Sequence, residues 1–122
     1  MGDVEVDREL AESLGTASFC VVIEDDSMRN ASPESVQRGD KVVIDPEITP
    51  RPGDLVVATG RDLPGTVFRK YRERGTSATN QPLIELVPLN ADYSASVVTL
   101  GDAARIVGVM VEHRRARRRT DV

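Results

Sequence analysis

A serine and a lysine suggest the first chemistry to consider. The segment IEDDSMRNAS places Ser27 between an acidic run and a methionine, and the chain has only two lysines, Lys41 and Lys70. A serine hydroxyl becomes a good nucleophile when a neighbouring base takes its proton, and a desolvated lysine amine is such a base. Lowering an ordinary lysine pKa by about three units costs roughly 4 kcal/mol of burial. Lys41 follows an RGD turn and is expected to be exposed, which makes Lys70 the stronger partner for Ser27.

Other catalytic chemistries have less support in the sequence. His113 is the only histidine, and the arginines beside it would oppose the protonated imidazole that a Ser-His-Asp triad needs. One histidine and one cysteine supply too few nitrogen and sulfur ligands for a metal, and there is no glycine-rich phosphate loop. We therefore expect no metal and no cofactor. Cys20 lies in the apolar run SFCVVI and is expected to be a buried structural thiol.

The elements that must position Ser27 and Lys70 are short strands. β-Branched residues are enriched in seven runs, which are separated by turn segments: SFCVVIE, KVVIDP, DLVVAT, TVFRKY, LIELVPL, SVVTL and RIVGVMVEH. This pattern predicts a mostly β domain with a folded-over or barrel-like sheet over residues 16–113. Residues 1–15 are predicted to form a short N-terminal helix or arm, and residues 114–122 a basic tail.

Composition and charge limit the class of protein further. The 122 residues fit one domain with its own core, and 39% apolar with 30% charged residues is typical of a globular chain. A net charge of −4 argues against a nucleic-acid-binding face. The run HRRARRR leaves two interpretations open, a solvated end or a contact with DNA, RNA or an acidic partner. Without a long apolar segment, a signal peptide or a disulfide pair, a cytoplasmic protein with no membrane contact is expected.

The order of the motifs carries more information than any single motif. DDSM, RGDKVVIDP, PRPGDLVVA, TVFRKY, LVPLNADY and IVGVMVEHR resemble, in that order, the C-terminal domain of the LexA, UmuD and lambda-type phage repressor family. The resemblance covers Phe19 to His113, and EDDSM and FRKY look closer to prophage repressors than to LexA. It implies an all-β domain that dimerises and cuts its own chain, with Ser27 as the nucleophile. The backbone amides of Ser27 and Met28 are candidates for the oxyanion hole.

The sequence departs from the family pattern at the position of the general base. On the family pattern Arg69 takes the place of the lysine, and Lys70 takes the second basic place. Side chains alternate along a strand, so the two are expected to point to opposite faces unless a bulge shifts the register. An arginine side chain stays protonated throughout the physiological pH range, so it cannot serve as a general base. Its guanidinium is expected to hydrogen-bond the Ser27 hydroxyl or to pair with Asp25 or Asp26.

The substrate bond is the second departure. Family members cut an Ala-Gly or Cys-Gly bond upstream of the serine, whereas the residues before Ser27 contain only Leu14-Gly15 as a poor match. Two expectations follow: either the chain is a fragment that begins after the cleavage bond, or it does not cut itself.

The leading hypothesis is the regulatory and dimerisation domain of a prophage-type repressor with a latent or weakened Ser-Lys site. Its expected partners are a second copy, the helix-turn-helix domain of a parent chain and through it operator DNA, and a RecA filament. The main alternative is an active Ser-Lys autoprotease, including a stand-alone UmuD-like polymerase accessory subunit. A signal-peptidase-like enzyme and a plain β interaction module are further alternatives.

The run RIVGVMVEH is apolar on both faces in its middle, which fits either a strand covered by a partner or a central strand of one monomer.

Overall fold

The computed structural model describes residues 4–7, 17–101 and 103–116, and these form one eight-stranded sheet. All seven strands predicted from the sequence are present, and an eighth precedes them. The predicted N-terminal helix or arm is extended where it is described, at Val4–Asp7; the other residues of 1–15 lie outside the described ranges. The strands are β1 Val4–Asp7, β2 Phe19–Ile23, β3 Lys41–Asp45, β4 Leu55–Thr59, β5 Val67–Thr76, β6 Pro82–Val87, β7 Ser96–Thr99 and β8 Arg105–Arg114.

The sheet has the order β1-β2-β3-β8-β4-β5-β6-β7, and every neighbouring pair is antiparallel. The last strand in sequence, β8, therefore lies in the middle and pairs with both β3 and β4. This explains why the sequence of β8 is apolar on both faces at its centre. Of the two interpretations of that pattern, a central strand within one chain accounts for the backbone pairing, although it leaves Val111 half exposed.

Gly108 allows β3 and β8 to approach closely. A Cβ atom at this position would lie 2.5 Å from the Ile44 Cγ2 atom and 2.9 Å from the Asp45 carbonyl oxygen. The register between β3 and β8 shifts beside this contact, between Val43 and Ile44. Glycine in a strand interior often marks such a close approach between two backbones. The glycine of the IVG motif therefore has a packing role at the centre of the sheet.

The two glycine-aspartate turns share one geometry. In the first, the Asp40 amide donates to the Gln37 carbonyl, and the Gln37 amide donates back to the Asp40 carboxylate, both at 2.9 Å. Gly39, in the third position of this turn, has a φ of 92°, which favours glycine. Arg51 to Asp54 repeat the same reciprocal pair, with Gly53 at a φ of 97°. These matching turns start β3 and β4, the two strands that flank β8.

Both faces of the sheet are buried, because the sheet curls over. Alternate residues of β4 enter different clusters: Leu55 and Val57 lie in one, Val56 and Ala58 in the other. The first cluster also contains Phe68 from β5 and the side chains Met28 and Val36 of the loop after β2. The loop that carries Ser27 thus covers one face of the sheet. Cys20 is fully buried in β2, as expected for a structural thiol. Among the residues that the structure describes, no helix is long and apolar enough to cross a membrane.

Candidate active site

Ser27 lies in the loop between β2 and β3, and the core fixes its position. Its neighbour Met28 is fully buried against the cluster that includes Phe68. The Val36 amide donates to the Met28 carbonyl at 2.8 Å, which closes the loop on itself. Ser27 is only 1% exposed. A buried methionine directly after the serine therefore anchors the hydroxyl beside β5.

A second loop braces the same backbone. The Asn90 amide donates to the Ser27 carbonyl at 2.9 Å, and the Asn90 side-chain amide donates to the Asp26 carbonyl at 2.9 Å. Asn90 is the asparagine of the LVPLNADY segment, just after β6. That segment is one of the ordered motifs that carry the family resemblance, but the sequence did not show that its asparagine hydrogen-bonds the serine loop.

The Ser27 hydroxyl contacts two charged side chains. The Arg69 Nη1 atom donates to Ser27 Oγ at 2.8 Å and also to the Phe68 carbonyl at 2.8 Å. The Ser27 hydroxyl in turn donates to the Asp25 Oδ1 atom at 2.7 Å. The serine is therefore held between a guanidinium and a carboxylate. Of the two carboxylates weighed as partners of Arg69, Asp26 instead lies 3.7 Å from the guanidinium of Arg38.

Lys70 contacts a different part of the same loop. Its Nζ atom lies 3.2 Å from the Glu34 carboxylate, and its side chain is 20% exposed. In the pairing of β4 with β5, Leu55 is opposite Lys70 and Val56 is opposite Arg69. Because Leu55 and Val56 belong to the two opposite core faces, the lysine and the arginine leave the strand on opposite sides. The β4–β5 register between residues 67 and 70 has no bulge that would reverse this order.

This arrangement stabilises the serine without supplying a base at Arg69. A guanidinium has only donors and stays charged, so it cannot accept the hydroxyl proton. The Ser27 amide, one of the two amides expected in the oxyanion hole, donates to Asp25 Oδ1 at 3.0 Å. Met28 contributes the buried side chain described above. The catalytic roles assigned to Ser27, Lys70 and Arg69, and the oxyanion role of the two amides, remain predictions.

The only histidine belongs to a buried cluster around Asp40. The His113 Nε2 atom lies 2.8 Å from Asp40 Oδ2, and the Ala116 amide donates to Asp40 Oδ1 at 2.8 Å. Burial by itself would raise the pKa of Asp40, which is 3% exposed. The hydrogen bonds from Ala116, Gln37 and His113 outweigh burial and lower this pKa. His113 therefore pairs with a structural carboxylate.

The start of the basic tail packs against the serine loop. The Arg115 guanidinium donates to the Pro33 carbonyl at 3.0 Å and reaches the Ser35 carbonyl at 3.5 Å. Arg114 is the last residue of β8, and residues 117–122, which hold the remaining three tail arginines, lie outside the described ranges. Lys41, the other lysine weighed as a base, begins β3 and is half-buried. Within the described ranges, no three His, Cys, Asp or Glu side chains come together as metal ligands.

Sequence reasoning missed three partners in the site. Asp25 was considered only for Arg69, yet it accepts both the amide and the hydroxyl of Ser27. An aspartate two residues before a serine is a known local signal, because its side chain accepts from backbone amides in Asx turns. Glu34 and Asn90 are distant from their partners in sequence, by 36 residues from Lys70 and 64 from Asp26. No local sequence pattern predicts contacts between residues so far apart in the chain.

The fold and the site define a class before any comparison: an all-β domain in which a buried loop serine faces a basic residue from a neighbouring strand. Comparison with known proteins identifies the family. The family model described as Peptidase S24-like matches residues 2–111, so the chain belongs to this family. It is 38% identical over 112 residues to the LexA repressor of Desulfatibacillum aliphaticivorans. That match covers 90% of this chain and 49% of the relative, so the chain spans about half the length of the curated protein it matches.

Proposed function

We propose that this chain is the regulatory and dimerisation domain of a prophage-type transcriptional repressor, with a self-cleavage site that is latent or weakened. The main support is the contact between Arg69 Nη1 and Ser27 Oγ at 2.8 Å, in the place where the family resemblance puts the lysine base. Lys70 instead contacts Glu34, in another part of the serine loop. A guanidinium has no lone pair to accept the Ser27 proton, so the serine lacks a base at this position and chain cleavage is slow or absent.

Residues 16–113 act in this proposal as the autoprotease-like and dimerisation domain, between an N-terminal arm (1–15) and a basic tail (114–122). The parent chain carries a helix-turn-helix domain that binds operator DNA in the cytoplasm. A RecA filament is the inducing partner if any cleavage activity remains. The similarity to a protein named LexA repressor supports these partners, but only for the half of that relative that the chain matches.

Incubation of the full-length parent protein at alkaline pH tests the proposal. High pH deprotonates lysine amines and so favours a Ser-Lys dyad. We expect no fragments that depend on Ser27, because the group at the serine is a guanidinium. Gel electrophoresis of the parent protein, with Ser27→Ala and Lys70→Ala as controls, measures this. Fragments that disappear in both controls would contradict a latent site and support an active dyad through Lys70.

That active dyad is the second candidate, and it includes a stand-alone polymerase accessory subunit. The observation in its favour is that Lys70 directly follows Arg69 and that its side chain as a whole is only 20% exposed. For Lys70 to act on Ser27, its ammonium would have to leave Glu34 and reach the hydroxyl that Arg69 now contacts. Removing the carboxylate with Glu34→Gln would then increase Ser27-dependent cleavage in the same assay, whereas a latent site predicts no change.

Dimerisation is proposed to use an apolar patch formed by Ile48, Met110 and Val111. Ile48 is 40% exposed and Val111 is 50% exposed, and all three residues line a shared groove beside β8. A two-fold dimer would bury this patch against itself and hold two DNA-binding domains at operator half-sites.

A charge in this patch is expected to weaken the dimer. Val111→Glu would place an unpaired carboxylate in the interface, and we expect the dimer dissociation constant to rise about tenfold or more. Sedimentation equilibrium measures this constant. Val97→Glu is the matched control, because Val97 is 54% exposed on the edge strand β7, away from the patch. Equal weakening by both variants, or by neither, would refute this interface.

A further inference from the structure

One carboxylate oxygen engages both groups of Ser27 that acyl transfer requires. Asp25 Oδ1 accepts the hydroxyl hydrogen at 2.7 Å and the backbone amide at 3.0 Å. We propose that Asp25 acts together with Arg69 to keep Ser27 unreactive, so that restoring a lysine at position 69 is not sufficient to restore a nucleophile. This inference rests on the proposed latent site and identifies a second residue responsible for it.

The hydroxyl contact does not make Asp25 an effective base. An ordinary aspartate has a pKa of about 3.9, far below the operating pH at which a general base for serine works well. The hydrogen bond from Ser27 to Asp25 therefore orients the proton without removing it.

The charge on Asp25 also acts on any amine placed at position 69. Arg69 Nη1 and Asp25 Oδ1 contact the same hydroxyl oxygen, so the two charged groups lie within about 6 Å of each other. Opposite charges at this separation favour the ionised form of both and shift a pKa by about 1–3 units. A lysine introduced by Arg69→Lys would thus be held as an ammonium, which has no lone pair to accept the proton of Ser27.

The amide contact opposes catalysis in a second way. An oxyanion hole stabilises negative charge through preorganised donors aimed at the place where the charge develops. The Ser27 amide, expected to be such a donor, already donates to Asp25. A fixed carboxylate at this amide both occupies the donor and repels a developing oxyanion. Asp25 therefore acts on the nucleophile, the base and the oxyanion site together.

Labelling with a fluorophosphonate probe tests this on the 122-residue chain itself. Attack by Ser27 Oγ forms an oxygen–phosphorus bond, fluoride leaves, and the proton passes to the introduced lysine amine. Intact-mass spectrometry measures the rate from pH 7 to 10 for the unchanged chain, Arg69→Lys, and Arg69→Lys with Asp25→Asn. Asparagine keeps the size and the acceptor oxygen of aspartate but removes its charge. Arg69→Lys with Asp26→Asn is the matched control, since Asp26 is the neighbouring carboxylate and pairs with Arg38.

We expect the Asp25→Asn pair to label about tenfold faster or more at pH 8 than Arg69→Lys alone, since one pKa unit changes the neutral amine fraction tenfold. The pH midpoint should fall by about one unit or more, a change that a purely structural role of Asp25 would not produce. The Asp26→Asn control should match Arg69→Lys alone. Ser27→Ala in each background must abolish labelling.

Several results would overturn the inference. Equal rates for Arg69→Lys with and without Asp25→Asn would show that Asp25 does not restrain the serine, and would leave the latent site explained by Arg69 alone. Equal acceleration by Asp26→Asn, or no labelling of the Asp25→Asn pair above the Ser27→Ala background, would also refute it. Rapid labelling of the unchanged chain at Ser27 would instead refute the proposed latent site. Circular dichroism melting verifies the fold of each variant, and Asp25→Ala replaces Asp25→Asn if the latter does not fold.

Discussion

Asp40→Ala is expected to lower the free energy of unfolding by about 3 kcal/mol near neutral pH. Asp40 accepts from the amides of Gln37 and Ala116 and from His113, and it is 3% exposed. Its removal leaves three donors, on half-buried or exposed residues, without this partner, and each lost hydrogen bond costs about 1 kcal/mol. It also removes the hydrogen bond that joins the turn before β3 to Ala116, which follows β8. Chemical denaturation followed by circular dichroism measures the loss.

The loss should depend on pH in a defined direction. The pKa of Asp40 is lowered from 3.8, because the hydrogen bonds from Ala116, Gln37 and His113 outweigh the effect of burial. A group with a lowered folded-state pKa stabilises the fold above its unfolded value, and this contribution disappears as the pH falls through the folded value. The difference between the unchanged chain and Asp40→Ala is therefore complete above about pH 5 and shrinks below about pH 3.8.

Asp54→Ala provides the matched control for Asp40. Asp54 occupies the same place in the second glycine-aspartate turn, but within the described residues its carboxylate accepts only from the Arg51 amide, and the residue is half-buried. We expect a loss of about 1 kcal/mol there. Equal losses for the two variants, or a difference that persists unchanged to pH 3, would contradict the role assigned to the Asp40 cluster.

Phe68→Ala is expected to lower the free energy of unfolding by about 4 kcal/mol, as large-to-small changes of buried aromatics do. Phe68 is 1% exposed and packs in the cluster that contains Met28, the residue after the serine. Its carbonyl also accepts from Arg69 Nη1. The cavity would thus lie between the strand that carries Arg69 and the loop that carries Ser27.

Denaturant titration measures the effect of Phe68→Ala, with Tyr93→Ala as the control. Tyr93 is an aromatic residue of similar size that is 37% exposed, so its truncation should cost less than about 1 kcal/mol. A loss for Phe68→Ala no larger than for Tyr93→Ala would show that the serine loop does not pack on β5 as described.

Much of the fold could be predicted from the sequence, because strand signals are local. Runs of β-branched residues between glycine and proline turns predicted β2 to β8, and the two glycine-aspartate segments form matching turns. β5 continues to Thr76, five residues beyond the predicted run, because its charged second half pairs with β6. Cross-strand pairing supplies that part of the strand, and the sequence of one strand does not reveal its partner. The same reason explains why Val4–Asp7, read as a helix or arm, is a strand that pairs with β2.

The candidate site, like the fold, could be predicted only in part from the sequence. Alternation along a strand predicted that Arg69 and Lys70 would leave β5 on opposite sides, and motif order brought Ser27 to the same strand. The contacts that decide what the site does are tertiary. Glu34 pairs with Lys70, Asn90 hydrogen-bonds the serine loop, and Asp25 accepts the Ser27 hydroxyl, for which the sequence suggested only Lys70 and Arg69 as partners. These contacts depend on how the irregular loop that carries Ser27 packs on the core, and the spacing of residues in the sequence does not predict that packing.

The proposed latent site depends on which nitrogen lies beside the Ser27 hydroxyl, and a crystal structure of the chain near pH 9 would measure this directly. We expect a guanidinium nitrogen of Arg69 at hydrogen-bond distance from Ser27 Oγ, as at 2.8 Å here, with Lys70 still at Glu34. An amine of Lys70 at hydrogen-bond distance from that oxygen, with Arg69 turned away, would contradict it.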